Sequence, residues 1–349
     1  MRIAVLGAGA IGLGLAAIGE SLGHDVAVHS PSGKSTAFLK EGRALLSEGA
    51  LEGTWRPQPA TLPVALDGAE LVIFAAPANA MGTLIEEAAS RLGDAHNVVI
   101  SSQSSFAALV LRQRLLARGV RVPIAAWSTT LSTGRRLAAD RVQVDEWRSR
   151  VDVAFLDDGA GRLAALQGAL FGERFHRVPD LLALSLSNLN PPIHLANALC
   201  NLTRIERGEA WDNYDGITPA VARLILALDA ERIALAEAFG YRVKTVEEHY
   251  VHTFPIAPAS LAEMAAEVHR MKQGPRGPTS IATRYITEDV PFGILPIVAL
   301  ARARGVAVPV HEGGLALLSA IAGTDFTAAN DLLPAIADLL AEPERLAFA

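Results

Sequence analysis

Short apolar runs alternate with helix-like stretches through the first third of the chain. The runs predicted as buried strands are Arg2–Leu6, Asp25–His29, Leu71–Ala76 and Val98–Ser101. The 3.6-residue pattern of Ile11–Leu22 predicts a helix that stops at Gly23. Because alternating strands and helices are joined by right-handed crossovers, this order predicts a doubly wound parallel sheet. Pro123–Trp127 and Val151–Phe155 are predicted as later strands of the same sheet.

The pattern changes after about Pro179, where strand-like runs become scarce and helix caps recur. Asn190 followed by Pro191 is typical of an N-cap and a first helical residue, and Gly208 of a stop. Similar start signals are Thr218-Pro219 and the capping box of Ser260 with Glu263. The chain is therefore predicted to fold as an α/β domain over residues 1–180 and an all-α domain over residues 181–349.

Composition excludes several classes of protein. Hydrophobic residues make up 50% of the 349 residues and charged residues 19%, which excludes intrinsic disorder. The single cysteine, Cys200, excludes an internal disulfide framework and a cysteine-based zinc site. With a net charge of −6, nothing favours a nucleic-acid or membrane partner. The uncharged runs Ile3–Gly19 and Leu181–Thr203 carry too much glycine or too many polar groups for a signal peptide or membrane span, so a cytoplasmic location is expected.

A glycine-rich loop joins the first strand to the first helix. It has the pattern G-x-G-x-x-G and reads Gly7-Ala8-Gly9-Ala10-Ile11-Gly12. In a strand–loop–helix context this pattern predicts a Rossmann-type dinucleotide site, with the pyrophosphate on free N–H groups at the helix start. The predicted cofactor-binding residues are therefore Gly7, Gly9, Ala10, Ile11 and Gly12.

The end of the second strand bears on the choice of nucleotide. An NAD site usually carries an acidic residue there, but this strand continues His29-Ser30-Pro31-Ser32-Gly33-Lys34. A carboxylate would repel a 2′-phosphate, whereas Ser30, Ser32 and Lys34 could accept one. We therefore expect NADP to be preferred over NAD, with Ser30 and Lys34 among the cofactor-binding residues; a solvated turn is the alternative interpretation.

Two segments of the second half contain side chains suited to catalysis. His194 lies in the first turn of the predicted helix, and an imidazole there can exchange a proton near neutral pH. Arg284 offers a planar fork for a carboxylate, and Asp289 or Glu288 could orient a histidine. A packing histidine and a solvated salt-bridge loop are the alternative interpretations. His249 and His252 are more typical of surface residues than of metal ligands, so no metal is predicted.

These segments resemble the octopine/nopaline (opine) dehydrogenase family over nearly the whole chain. Besides the glycine loop, the resemblance is carried by Asn190-Pro191-x-x-His194, by Tyr214–Pro219 leading to Leu228–Arg232, and by Arg284–Gly293.

The resemblance implies a two-domain NAD(P)H-dependent enzyme that reductively condenses an amino acid with a 2-oxo acid to an N-(1-carboxyalkyl) amino acid. It implies a His–Asp pair matching His194 and Asp289, and a catalytic arginine matching Arg284. Gln103 is similar to a family position that faces the substrate, and Asn190 of the same histidine motif is a second substrate-binding candidate. Pro77, in the alanine–proline pair at the end of the predicted strand Leu71–Ala76, is a further candidate to bind the cofactor. The histidine that many members carry soon after this pair is missing here.

Two further expectations concern the amino-acid pocket and the assembly state. Trp211 and Tyr214 are candidates to shape the amino-acid pocket, with packing and capping as equally good interpretations. The many apolar helix faces of the second domain could support a homodimer.

Two other functions stay open at this level. The first is reduction of a 2-oxo acid to a 2-hydroxy acid, as in ketopantoate reductase-like proteins, although no lysine of the kind they usually employ lies near His194. The second is a nucleotide-sensing module without turnover, which would keep the glycine loop but would not need His194, Arg284 and Asp289.

Overall fold

The computed structural model describes residues 1–272 and 274–341. These residues divide into two compact units, one over Met1–Leu184 and the other from Ser185 onward. Residues 342–349 of the predicted second domain lie outside the described residues. Within the described ranges, no helix combines the length and the apolar composition needed to cross a bilayer.

The first unit contains all the named strands of the described chain. They are β1 (Arg2–Leu6), β2 (Asp25–His29), β3 (Leu45–Gly49), β4 (Gly53–Trp55), β5 (Gln58–Ala60), β6 (Leu71–Phe74), β7 (Asn97–Ile100), β8 (Ile124–Trp127), β9 (Ser132–Ala138), β10 (Arg141–Trp147), β11 (Val151–Leu156) and β12 (Phe175–Arg177). Eight of them form one sheet in the order β12-β11-β8-β7-β6-β1-β2-β5.

The large sheet confirms the predicted fold class. Neighbouring strands are parallel throughout, except that β11 runs antiparallel to β8. No helix lies between β8 and β11, and a parallel connection usually requires one. The predicted strands Pro123–Trp127 and Val151–Phe155 correspond to β8 and β11 and belong to this sheet, as expected.

A second sheet, which the sequence pattern did not predict, has the order β4-β3-β10-β9. Its inner residues belong to the same buried core as the first long helix, and they include Leu45, Val142 and Val144. A Cβ added at Gly14 of that helix would lie 3.6 Å from Val144 Cγ2, so the sheet packs directly on the helix that follows the glycine loop.

The helices of the first unit are α1 (Ala10–Ser21), α2 (Ala37–Lys40), α3 (Leu62–Leu66), α4 (Ala78–Ala89), α5 (Ala107–Leu116) and α6 (Arg162–Phe171), and α7 (Leu181–Leu186) spans the point of division. The second unit is helical, as predicted. Its helices are α8 (Asn190–Cys200), α9 (Leu202–Glu206), α10 (Pro219–Ala238), α11 (Val246–Thr253), α12 (Leu261–Arg270), α13 (Arg284–Thr287), α14 (Leu295–Arg304), α15 (Pro309–Ala322), α16 (Phe326–Ala329) and α17 (Ala337–Ala341). A π-helical turn over Val290–Ile294 precedes α14.

The start and end of α8 differ from the sequence prediction. Asn190 is the first helical residue and Leu189 the cap, so the prediction of Asn190 as N-cap is wrong. The helix predicted to run to Gly208 is interrupted at Asn201, whose φ of −111° and ψ of 18° are not helical. The Asn201 amide donates to the Asn197 and Gly216 carbonyls at 3.1 and 3.3 Å. Such side-chain bonds to the backbone compete with helix continuation.

Buried charges join the helices of the second unit around α10. Arg232, with no exposed surface, donates to Asp229 Oδ1 through Nε at 3.0 Å and Nη2 at 2.7 Å. It also donates to the Leu186 carbonyl, while Asp229 Oδ2 accepts from Val246 N at 2.8 Å. Because every charged atom of this pair has a partner, removing either residue would leave a buried charge uncompensated. The Leu228–Arg232 segment of the family resemblance therefore has a structural role here.

Candidate active site

The carboxyl ends of the parallel strands bring the predicted cofactor residues to one edge of the large sheet. Gly7 follows β1, Ser30 follows β2, Pro77 lies shortly after β6, and Gln103 shortly after β7. The strand order changes direction at β1, which lies between β2 and β6. Dinucleotides bind outside the carboxyl ends of strands at such a switch point. Pro77 occupies the cap position of α4 and is exposed.

The three glycines of the loop differ in what surrounds them. Gly7 has φ +121°, and a Cβ there would overlap the Ala75 carbonyl, just after the neighbouring strand β6. A Cβ at Gly12 would overlap the Gly7 carbonyl, so this glycine allows α1 to pack closely on the loop. A Cβ at Gly9 would meet no protein atom within 4 Å. Close contacts with backbone atoms thus explain the glycines at positions 7 and 12. No such contact explains Gly9, whose missing side chain leaves open space beside the loop.

The start of α1 fits a pyrophosphate at that space. Gly9 is the N-cap and supplies no side-chain hydrogen bond, and the first turn carries no acidic side chain. The first hydrogen bond of the helix runs from Leu13 N to the Gly9 carbonyl, at 3.0 Å. The N–H groups of Ala10 and Ile11 come before Leu13 and therefore have no acceptor within the helix. They lie at its N-terminus, the positive end of the helix dipole. The loop therefore has the features that hold a dinucleotide phosphate.

In the helical unit, the structure brings His194, Asp289 and Arg284 together. His194 Nδ1 lies 2.7 Å from Asp289 Oδ2, and Arg284 Nε lies 3.9 Å from the same oxygen. The side chains of His194 and Asp289 are 14% and 12% exposed, whereas that of Arg284 is 60% exposed. Because a carboxylate accepts hydrogen bonds, Nδ1 of His194 is the donor. Its Nε2 has no protein partner among the described residues.

Close packing of the π-helical turn on α8 makes this contact between distant segments. Asp289 directly precedes the turn, and a Cβ at Gly293 would overlap Pro191 in the first turn of α8. Only a glycine allows the two segments to approach this closely. The proline start of α8 and Gly293 therefore place His194 and Asp289, 95 residues apart in sequence, within hydrogen-bond distance.

An aromatic ring that sequence reasoning did not single out supports His194. The Tyr285 and His194 rings are stacked, with centroids 3.7 Å apart and planes inclined by 7°. The Tyr285 hydroxyl donates to Asn213 Oδ1 at 3.2 Å, and the same oxygen accepts from Asn197 Nδ2 at 3.0 Å. Burial raises the pKa of Tyr285 to about 12, so the hydroxyl keeps its proton near neutral pH. Its only sequence signal was its position next to Arg284.

The other predicted substrate residues have varied surroundings. Asn190 is exposed on α8. Trp211 is buried, and its indole N–H donates to the Pro278 carbonyl at 2.9 Å. Tyr214 packs edge-on against Tyr250 with centroids 5.8 Å apart, and burial raises its pKa to about 12. The role of these residues in substrate binding stays a prediction.

Gln103, in the first unit, is 6% exposed. Its side-chain oxygen accepts from Ala108 N at 3.1 Å, in the first turn of α5. Phe106 at the cap position of that helix has φ +58°, a left-handed conformation that costs energy for a bulky side chain. The segment between β7 and α5 is thus held in a defined shape, and the role of Gln103 toward a substrate stays a prediction.

Comparison with known proteins relates both units to oxidoreductases. Residues 177–322 match the family described as NAD/NADP octopine/nopaline dehydrogenase, alpha-helical domain, and residues 3–131 match ketopantoate reductase PanE/ApbA. The opine dehydrogenase of Arthrobacter sp. (strain 1C) is 30% identical over 328 residues, which cover 93% of this chain and 91% of that protein.

Solved structures show the same fold. Octopine dehydrogenase with NADH and L-arginine has a TM-score of 0.78 at 19% identity, covering 96% of this chain and 94% of that one. Yersinopine dehydrogenase with NADP⁺ bound has a TM-score of 0.76 at 17% identity, covering 99% of both chains. The chain belongs to the octopine/nopaline (opine) dehydrogenase family and is a nicotinamide-dinucleotide-dependent oxidoreductase that acts on CH–NH groups.

Proposed function

We propose that the protein condenses an amino acid with a 2-oxo acid and reduces the resulting imine, with NADPH as the preferred cofactor. The product is an N-(1-carboxyalkyl) amino acid. The observation that carries this proposal is the single carboxylate oxygen of Asp289, 2.7 Å from His194 Nδ1 and 3.9 Å from Arg284 Nε. It combines a proton-transfer group and a carboxylate-binding group in one cluster.

Each residue of the cluster has a separate part in the reaction. Arg284 binds a substrate carboxylate, because its exposed guanidinium presents a planar fork that the Asp289 contact does not occupy. Asp289 holds the His194 ring in the tautomer that leaves Nε2 facing a reacting group. His194 supplies or removes the proton when the amine adds to the oxo group with loss of water, and again at the nitrogen of the product. When a nicotinamide dinucleotide is bound in its reduced form, it would supply the hydride.

The choice of substrate class draws on the relatives. Structures of octopine dehydrogenase are described with NADH and L-arginine and with NADH and pyruvate, an amino acid and a 2-oxo acid. The exposed guanidinium of Arg284 could bind either compound, since an amino acid and a 2-oxo acid each carry a carboxylate.

The preference for NADPH rests on the loop after β2. No carboxylate lies between His29 and Lys34, and Ser30 begins the turn that follows the strand. The side chain of Lys34 is exposed, and its backbone N–H donates to Ser32 Oγ at 3.3 Å. A 2′-phosphate would meet hydroxyl and ammonium groups there rather than a negative charge.

The test is oxidation of NADPH or NADH in the presence of panels of 2-oxo acids and amino acids, with the product identified by mass spectrometry. Oxidation that requires both organic partners, with a secondary amine dicarboxylate as product, supports the proposal. Oxidation with the oxo acid alone would instead indicate a hydroxy-acid reductase, and binding of cofactor without oxidation a sensor. The cytoplasmic location and the homodimer stay predictions; the latter is checked by light scattering.

A further inference from the structure

Arg136 of β9 connects two parts of the cofactor edge of the first unit. Its Nη1 donates to the Ala8 carbonyl in the glycine loop at 3.1 Å. Its Nη2 donates to the Ser35 carbonyl, just after the loop that follows β2, at 2.9 Å. Both loops belong to the predicted cofactor site, whereas Arg136 comes from the second sheet, more than 100 residues further along the chain.

In the part of the chain that the structure describes, the groups bonded to the guanidinium of Arg136 are backbone carbonyls. Nε donates to the Ala138 carbonyl at 3.3 Å, and Nη2 also donates to the Ala139 carbonyl at 2.6 Å. Together with Ala8 and Ser35, these carbonyls take four of the five N–H groups that a guanidinium offers. No carboxylate of the described residues pairs with Arg136, so its positive charge and its remaining N–H are available to an anion.

The position of this charge matches one part of a dinucleotide. In Rossmann-type sites the ribose of the adenosine half lies between the glycine loop and the end of the second strand, and a nearby arginine accommodates the 2′-phosphate of NADP. Arg136 joins these two loops, and exposed Lys34 adds a second cation on the loop after β2. Lys40 Nζ lies 3.6 Å from where a Cβ at Gly33 would be, which adds a third.

We propose that Arg136 binds the 2′-phosphate of NADP(H) and makes the protein select the phosphorylated cofactor. This inference rests on the proposed cofactor preference and extends it to a residue that lies outside the nucleotide-binding sequence motif. The second sheet then has a function beyond covering α1, because β9 carries the residue that distinguishes the two cofactors.

The test compares Arg136→Gln with Arg135→Gln by equilibrium binding without organic substrates. Arg135 is a matched control because it is the adjacent, exposed residue of β9, and successive side chains of a strand point to opposite faces. Affinities for NADPH and NADH are measured by cofactor fluorescence, and those for 2′,5′-ADP and 5′-AMP by calorimetry.

In Arg136→Gln we expect NADPH and 2′,5′-ADP to bind about 10- to 100-fold more weakly, because a charge-assisted hydrogen bond is lost. NADH and 5′-AMP should change by less than about threefold, and Arg135→Gln should leave the ratio of NADPH to NADH affinity as in the wild type. The glutamine amide still donates to a carbonyl, and Arg136→Met removes that donor as well; thermal unfolding without nucleotide shows whether either variant is folded.

Equal weakening of both cofactors would overturn the proposal and leave Arg136 as a connection between loops. A wild-type protein that binds NADH as tightly as NADPH would overturn it too. Failure of the proposed function can be told apart from failure of this proposal. The former would appear as a lack of product in the substrate panels, whereas the binding experiments use no organic substrate and still test Arg136.

Discussion

The glycine loop of the first unit and the His–Asp–Arg cluster of the second are built in opposite ways. The loop offers backbone N–H groups and three glycines within six consecutive residues, and a Cβ at Gly9 would meet no protein atom within 4 Å. The cluster uses side chains that are 95 residues apart and meet only because α8 and the π-helical turn pack together. The residues that would bind the phosphates are therefore consecutive in sequence, whereas the tertiary fold brings together those of the cluster.

This difference predicts different consequences for substitutions. A substitution in the glycine loop fills space beside the backbone or disturbs helix packing, so it should lower stability or cofactor affinity. A substitution in the cluster removes a proton-transfer group or a ring that packs on His194, so it should lower kcat while the protein stays folded.

The largest effect is expected for His194→Ala. It removes the group that exchanges the proton, and general acid–base catalysis is typically worth about 10²–10⁴-fold in rate. We expect kcat to fall by that order while the affinity for NADPH stays unchanged. Steady-state kinetics and cofactor titration check both quantities.

The control is His252→Ala on α11, because His252 is exposed and bonded to the Glu248 carbonyl at 2.6 Å. This variant should match the wild type in turnover. A normal kcat in His194→Ala would remove the imidazole from the mechanism and break the contrast between the two regions.

The second largest effect should differ between two glycines of the loop, Gly12 and Gly9: substitution of the first should lower stability and of the second cofactor affinity. In Gly12→Ala the new Cβ overlaps the Gly7 carbonyl, and overpacking of this kind costs about 1–3 kcal/mol or more in the free energy of unfolding. Gly9→Ser places its side chain in open space at an N-cap, where serine is favoured, so the protein without cofactor should be at least as stable as the wild type. Its affinity for NADPH should nevertheless fall.

Urea unfolding without cofactor and fluorescence titration measure the two quantities. If Gly9→Ser binds NADPH normally, the space beside Gly9 does not serve the pyrophosphate. If Gly12→Ala is as stable as the wild type, α1 moves to relieve the overlap and the explanation for Gly12 is wrong.

A smaller effect is expected for the ring that stacks on His194. Tyr285→Leu removes the stack, and an aromatic pair contributes about 0.5–1.5 kcal/mol beyond burial, so kcat should fall by up to about tenfold with little change in KM. Tyr285→Phe keeps the ring, and Asn213 Oδ1 still accepts from Asn197, so this variant should stay near the wild type.

The pH profile distinguishes positioning from proton transfer. Because burial raises the pKa of Tyr285 to about 12, the hydroxyl does not titrate between about pH 6 and 9, and Tyr285→Phe should keep the wild-type profile. A changed profile in Tyr285→Phe would mean that the hydroxyl itself takes part in the chemistry.

The sequence was sufficient where structure is local, and insufficient where distant segments meet. The parallel sheet follows from apolar runs of four to six residues, and the glycine loop from its spacing. The second sheet was missed because β10 pairs with β3 from almost 100 residues earlier, as in Arg141 with Leu46, and β9 carries consecutive arginines. The residues left Asp289 and Glu288 open as partners of a histidine, and the choice of Asp289 followed from the family resemblance. Neither the stack of Tyr285 on His194 nor the bonds of Arg136 could be predicted from the local sequence. The interruption at Asn201 also depends on a distant carbonyl, that of Gly216.

The smallest effect concerns acid stability, where the two regions should again differ. The loop from Gly7 to Gly12 has no titratable side chain, whereas the helical unit buries His311 with its Nδ1 2.7 Å from Glu231 Oε2. Burial lowers the pKa of His311 from its ordinary 6.5, although Glu231 opposes this, and its buried Nε2 has no partner among the described residues.

The unfolded chain therefore binds a proton at this residue at a higher pH than the folded one does. The stability that His311 contributes is fully present above about pH 6.5 and is lost as the pH falls from there toward the lower folded pKa. His311→Gln keeps an amide donor for Glu231 but does not titrate, so its free energy of unfolding should fall less than that of the wild type between pH 8 and pH 5. Urea unfolding at the two pH values measures this difference, with His252→Gln as an exposed control that should behave as the wild type. An equal loss in His311→Gln would assign the acid sensitivity to other groups, and the buried Glu231–His311 pair would then hold α10 and α15 together without making the helical unit sensitive to pH.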